Sequence, residues 1–297
     1  MNLAGTRPDW LTRELFPFES RFTEIGGHTI HYVDEGSGPT LLMLHGNPTW
    51  SFVYRHMIGL LRDRFRCVAV DYPGFGLSVA GEGYDHLPES HMAVVEDFIE
   101  HLGLTEFSPV VQDWGGPVGL GVAGRQPERV RALVICNTWA WPVADDPHFV
   151  RFSGLMGGAI GGFAIRNFNA FVNVMIPMGT PRRKLSVEAM QAYRRPMSTR
   201  SRREATHIFP KAIVGSTPFL ATVERGLGGL AQKPVLLCWG DKDIAFREKE
   251  RARFARTFAR ARSVALPGAG HYVQEESPGE IAAAIRAWWP EDVEGRS

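Results

Sequence analysis

Short, uninterrupted apolar runs punctuate this chain at residues 41–44, 67–70, 109–111, 132–136, 235–239 and 264–266, and segments with helical spacing lie between them. A strand with one wet face alternates apolar and polar residues, so runs that are apolar throughout are the pattern of strands covered on both faces. Helical candidates at 52–61, 91–101, 117–125, 249–258 and 280–288 supply that cover. The alternation predicts an α/β fold with a mostly parallel central sheet flanked by helices. Near the start, 21–25 and 29–33 flank Gly26-Gly27 and read as a hairpin. The rhythm breaks between 141 and 230, where the sequence is mostly helical with Pro and Gly punctuation. We read 1–140 and 231–297 as two parts of one core, and 141–230 as a helical cap inserted after the sixth strand.

A net charge of +1 argues against a nucleic-acid partner. Basic stretches at 194–203 and 247–262 read as solvated helix faces, the second with Phe254 and Phe258 at i,i+4 spacing on its apolar side. Cys67, Cys136 and Cys238 each fall in a run that reads as a buried strand; they have no metal-ligand spacing and form no disulfide framework. Arg7, Asp9, Arg13 and Glu14 interrupt the first residues, which read as no secretory signal and place the protein in the cytoplasm. The apolar segment 152–165 holds five glycines and is too short to span a bilayer; it reads as a flexible pocket-lining helix, and no membrane partner is expected.

Chemistry enters at Gln112-Asp113-Trp114-Gly115-Gly116, between an apolar run and a helical segment. A tight strand-to-helix turn with small neighbours holds one side chain above the carboxyl edge of a parallel sheet. Serine at that point forms acyl-enzymes, whereas the carboxylate of Asp113 attacks a saturated carbon and forms an alkyl ester. Trp114 follows with an indole N–H suited to a departing anion. Three further loops follow predicted strands: His45-Gly46-Asn47-Pro48, Gly240-Asp241-Lys242-Asp243 and Gly270-His271. The backbone N–H groups of Asn47 and Trp114 form a candidate oxyanion hole, and Asp113, Asp243 and His271 stand in nucleophile, acid, base order. Each residue has a plainer use: a helix N-cap for Asp113, turns for Asp241, Asp243 and Asn47, and a surface loop for His271. His45 reads as a hydrogen-bonded loop histidine without a proton-transfer role. The plain uses do not account for the joint order, each motif directly after a predicted strand.

These residues resemble the haloalkane dehalogenases of the α/β-hydrolase superfamily. The likeness runs through His31-Tyr32-Val33-Asp34-Glu35-Gly36, His45-Gly46-Asn47-Pro48-Thr49-Trp50, Asp71-Tyr72-Pro73-Gly74-Phe75-Gly76, Gln112-Asp113-Trp114-Gly115-Gly116, Asn137-Thr138-Trp139 and Gly270-His271. It implies that the side chains of Asn47 and Trp114 grip the halide. One branch of that family carries a glutamate after the sixth strand, where this chain has Asn137, and another uses a cap tryptophan, but no Trp lies between Trp141 and Trp239. The resemblance therefore points to the branch with Asp243 as acid and Asn47 as second halide donor. It implies hydrolysis of a small apolar halogenated substrate by water to a primary alcohol and halide, through an aspartyl-alkyl ester, with no metal or organic cofactor.

Epoxide hydrolysis is the nearest alternative and needs acid help from cap tyrosines; Tyr193 is the one tyrosine in the expected cap and reads as a packing residue. Fluoroacetate-type dehalogenation expects a cation where Trp114 stands. A further class is a non-catalytic ligand-binding protein, or a cofactor-free oxidising one, on the same scaffold. Phe149, Phe152, Phe168 and Phe171 read either as walls of an apolar pocket or as the cap's own core.

Overall fold

The apolar runs become strands of one sheet in the computed structural model, which describes residues 5–290. In chain order the strands are β1 (Arg21–Ile25), β2 (His28–Glu35), β3 (Thr40–Leu44), β4 (Arg66–Val70), β5 (Ser108–Gln112), β6 (Leu133–Cys136), β7 (Pro234–Gly240) and β8 (Arg260–Leu266). They lie side by side as β1-β2-β4-β3-β5-β6-β7-β8. Strand β2 is antiparallel to its neighbours β1 and β4, and every other pairing is parallel. Every residue of β5, β6 and β7 is buried, as two-sided cover requires. Strand β8 starts before its apolar run because it lies at the sheet edge, where Arg260 and Arg262 pair with β7 through their backbones.

The helices are α1 (Arg55–Leu61), α2 (Pro88–His101), α3 (Gly115–Arg125), α4 (Pro147–Gly157), α5 (Ala159–Phe168), α6 (Ile176–Met178), α7 (Val187–Arg194), α8 (Glu204–Gly215), α9 (Thr217–Leu230), α10 (Glu248–Thr257), α11 (Val273–Glu276) and α12 (Pro278–Trp288). Only helices and turns stand between β6 and β7. Of these, α9 lies against α3, where Gly124 and Gly226 bring the two backbones together. This is the α/β-hydrolase fold.

The basic stretch 194–203 is only in part a solvated face: Arg195 and Arg200 are exposed, whereas Arg202 and Arg203 are turned onto backbone carbonyls. Helix α7 ends at Arg194 and two short 3₁₀ turns follow, leaving carbonyls that need donors. Arg202 gives N–H groups to the carbonyls of Gly76 and Ser78 at 2.6 Å, and Arg203 does the same for Met197 and Arg166 at 2.7 and 2.8 Å. The second stretch follows its pattern only as far as Thr257, with Phe254 and Phe258 buried, because Arg260 and Arg262 belong to β8. All three cysteines are buried free thiols. The segment 152–165 is broken at Gly158 into α4 and α5, and among the described residues no single helix is long and apolar enough to cross a membrane.

Candidate active site

The turn from β5 to α3 puts Asp113 in the left-handed region, φ +50°. A non-glycine residue there costs about 1–3 kcal/mol unless its surroundings over-determine it. Here they do: Asp113 donates its N–H to the Asn137 carbonyl at 3.0 Å, while its own carbonyl accepts from Gly116 N at 2.9 Å and Thr138 Oγ1 at 2.5 Å. Neighbouring glycines permit the bend. A Cβ on Gly115 would stand 2.0 Å from the Leu44 carbonyl oxygen, and one on Gly116 1.9 Å from Thr138 Oγ1. A Cβ on Gly46 would meet the Asp113 carboxylate at 2.3 Å, so the loop after β3 approaches the side chain only as glycine.

One carboxylate oxygen, Oδ1, accepts the Asn47 N–H at 2.6 Å, and the Trp114 N–H bonds to the same carboxylate. The other, Oδ2, faces His271 Nε2 at 3.6 Å. Burial raises the Asp113 pKa above its ordinary value, and the His271 charge and the two N–H groups pull against that rise. Behind the imidazole, His271 Nδ1 lies 3.0 Å from Asp243 Oδ2. Burial works to lower the His271 pKa, but the carboxylates of Asp243 and Asp113 outweigh it and the net direction is upward.

Asp243 is fixed by the Ala245 N–H at 2.7 Å and by Asn137 Nδ2 at 2.9 Å, and Asn137 Oδ1 in turn accepts from Gly240 N at 2.9 Å. Asn137, read from sequence only as a residue unable to act as an acid, therefore buttresses one. Asp241 points elsewhere and accepts from the Gly268 N–H. His45 is buried and hydrogen-bonded between Gly46 O and Tyr72 N, and burial pulls its pKa down to about 4, which keeps it neutral.

Gln112, present in the motif but given no role there, sets the state of the imidazole. Its Nε2 donates to the His271 carbonyl at 3.1 Å, which identifies that atom as nitrogen, and lies 3.0 Å from His271 Nε2. When the imidazole is neutral, a hydrogen from that amide pairs with a lone pair on His271 Nε2 and leaves the ring proton on Nδ1 towards Asp243. The His271 and Tyr272 N–H groups both donate to the Gly179 carbonyl, at 2.9 and 3.2 Å, which ties this loop to the end of α6.

Above Asp113 opens a cavity of about 220 Å³, walled by Phe149, Phe152, Phe171, Met175, Ile213 and Phe246, with Asn47, Trp114 and His271 at its polar end. Trp114 is stacked on Phe209, ring centres 4.9 Å apart, and meets Trp139 edge-on at 4.6 Å. Its indole N–H meets no acceptor among the described residues. Asn47 Nδ2 donates to the Thr206 carbonyl at 3.2 Å, and Asn47 Oδ1 is buried without a partner. Phe168 does not join the wall; it is 66% exposed at the end of α5 because the chain turns away at Asn169, φ +52°.

Tyr193 is absent from the cavity. Its hydroxyl is buried against Glu275, which also holds Arg55 through both carboxylate oxygens at 2.5 and 2.8 Å. The cavity wall does include a core residue with a hydroxyl, Tyr272, whose ring meets His271 edge-on at 4.7 Å. No described protein group partners that hydroxyl, and burial pushes its pKa far upward, so it stays protonated. Its adjacency to His271 was the available signal in the sequence.

A buried carboxylate cradled by two N–H groups, facing an imidazole backed by an acid under a largely apolar pocket, suits covalent displacement followed by hydrolysis. The alpha/beta hydrolase fold family matches residues 39–278. Haloalkane dehalogenase 2 of Mycobacterium tuberculosis is 45% identical over 274 residues, covering 92% of this chain and 95% of that protein. A cis-3-alkyl-4-alkyloxetan-2-one decarboxylase of Xanthomonas campestris pv. campestris is 33% identical, covering 88% of this chain and 92% of that one. Among solved structures, haloalkane dehalogenase DbeA from Bradyrhizobium elkani superposes with a TM-score of 0.83 at 28% identity, covering 91% of this chain and 97% of that one. The chain belongs to the haloalkane dehalogenase family.

Proposed function

We propose that the protein hydrolyses the carbon–halogen bond of small apolar haloalkanes, giving a primary alcohol, halide and a proton, with residues 141–230 as the cap over the site. The observation that carries this reading is the division of the Asp113 carboxylate, one oxygen in the N–H cradle at 2.6 Å and the other turned to His271 at the cavity floor. The carboxylate attacks the halogen-bearing carbon in line, forming a C–O bond as the C–X bond breaks, and the halide leaves with the bonding pair towards the Trp114 indole N–H and the Asn47 amide. His271 then takes a proton from water, which attacks the ester carbonyl; the backbone N–H groups of Asn47 and Trp114 hold the oxyanion and Asp243 steadies the imidazolium. Esterification removes the Asp113 charge, one of the influences that raise the His271 pKa. The histidine therefore becomes a freer base at the step that needs one.

The test is His271→Phe with 1-bromobutane or 1,2-dibromoethane. Displacement does not use histidine, so this variant releases about one bromide per site and stops, with an added alkyl group that peptide mapping places on Asp113. Sustained turnover by His271→Phe, or an adduct on another residue, would falsify the assignment. The wild type releases bromide and alcohol in equal amounts.

The relatives named as oxetanone decarboxylases make a second reading concrete, and the free hydroxyl of Tyr272, a residue of the cavity wall, favours it as a donor for a substrate oxygen. Carbon dioxide release from a cis-3,4-dialkyl oxetan-2-one, lost in Tyr272→Phe while bromide release persists, identifies that activity. Epoxide opening has no donor from Tyr193, which is committed to Glu275.

A further inference from the structure

The helical insertion has an outer face that the reaction does not use. Leu155, Ile160, Phe163 and Phe168 on α4 and α5 are 66%, 83%, 59% and 66% exposed. The rings of Phe163 and Phe168 lie 5.9 Å apart, and Val174 and Met178, on either side of the cavity-lining Met175, are 47% and 54% exposed. An isolated exposed apolar residue is ordinary, whereas a face of this extent marks an interaction surface.

Charge says which kind. Between 141 and 230 there are twelve Lys and Arg against five Asp and Glu, a net +7 in a chain whose total is +1. Arg151 on α4 and Lys211, which packs beside Gly157, are exposed and pair with no described carboxylate. Beside Phe168 lies a surface cleft of about 350 Å³ lined by Arg194, Arg195 and Arg203 with Asn173, and by no acidic residue. Arg194 commits only its Nε–H, to Asn173 Oδ1 at 2.7 Å. Its terminal nitrogens, and the N–H groups of the exposed Arg195, whose guanidinium lies 5.8 Å from the Trp10 ring centre, remain for a phosphate.

We propose that this face docks on an anionic lipid bilayer, with Phe163 and Phe168 seated in the interface and Arg194 and Arg195 on headgroup phosphates. A helix pair that is apolar on one side and ringed by cations lies in the plane of the interface rather than spanning it. This revises the expectation that the protein has no membrane partner. That expectation rested on whether segment 152–165 spans a membrane, and the structure puts Phe152 on the cavity wall, buries Ile165 and leaves Leu155, Ile160 and Phe163 exposed. The surface stands whichever reaction the cavity performs.

Co-sedimentation of the full chain with phosphatidylcholine vesicles, with and without phosphatidylglycerol, tests the proposal. Binding is expected only with phosphatidylglycerol, and raising salt from about 0.1 to about 1 M, which shortens the Debye length from about 10 to about 3 Å, releases the protein. Each Lys or Arg near such a surface is worth about fivefold in partitioning, so Arg194→Glu/Arg195→Glu lowers it at least about 25-fold. Phe163→Ser/Phe168→Ser weakens it as well. Halide release from dissolved substrate is unchanged in both pairs and reports that they fold. Equal binding to both vesicle types, no binding, or binding that survives both pairs overturns the proposal. So does sedimentation equilibrium showing that the same substitutions dissociate an oligomer of a protein that ignores vesicles.

Discussion

The Gln112 amide lies 3.0 Å from the His271 nitrogen that faces Asp113, close enough to tune the base directly. Gln112→Glu puts a carboxylate there and favours imidazolium, so the acid limb of ester hydrolysis moves to higher pH; single-turnover hydrolysis of the alkylated enzyme across pH measures it. At the halide end, Trp114→Phe keeps the aromatic surface stacked on Phe209 and removes one N–H. Loss of one well-placed anion donor costs about 2.7–4 kcal/mol in comparable sites, and halide formation slows accordingly in pre-steady-state bromide release. Asp243→Asn retards ester hydrolysis while Asp241→Asn is mild, because Asp243 touches the imidazole and Asp241 serves the Gly268 turn. That Asp113, Asp243 and His271 come together was legible because each occupies a fixed place after a strand. Gln112 and Tyr272 were not, since their roles depend on where a side chain points once two distant loops meet.

Among the elements, the loop after β3 and helix α1 give a controlled contrast between two glycines. Neither carries a positive φ, so alanine is conformationally allowed at both. At Gly59 in α1 a Cβ meets nothing within 4 Å, and Gly59→Ala raises stability by about 0.8–1 kcal/mol, read from urea unfolding. At Gly46 the same methyl stands 2.3 Å from the Asp113 carboxylate, so Gly46→Ala displaces that group and abolishes the bromide burst in a protein that still folds. Buried strands were legible from continuous apolar runs, yet β8 was only half visible because an edge strand keeps arginines. The turns at 194–203 were illegible because composition does not distinguish an arginine in water from one capping distant carbonyls such as those of Gly76 and Ser78.

For the molecule as a whole, the site carries a cost in stability. The folded Asp113 pKa lies above its ordinary value of 3.8, so the ionised carboxylate is disfavoured by folding; the penalty is present at neutral pH and disappears as pH falls below the folded pKa. Asp113→Asn therefore raises the unfolding temperature near pH 7 and loses that advantage towards acid pH, a comparison that thermal unfolding across pH makes directly. The α/β class was legible because it follows from periodicity, although the bounds of single elements such as β8 were not. The outward face of the insertion was not, since apolar residues destined for cavity and for exterior look alike in a sequence. The Gly179 carbonyl, receiving the N–H groups of both His271 and Tyr272, joins the cavity wall to the base-bearing loop. A displacement of 175–179 would pull on both N–H groups of that loop, so the position of the imidazole is tied to the position of the cavity wall.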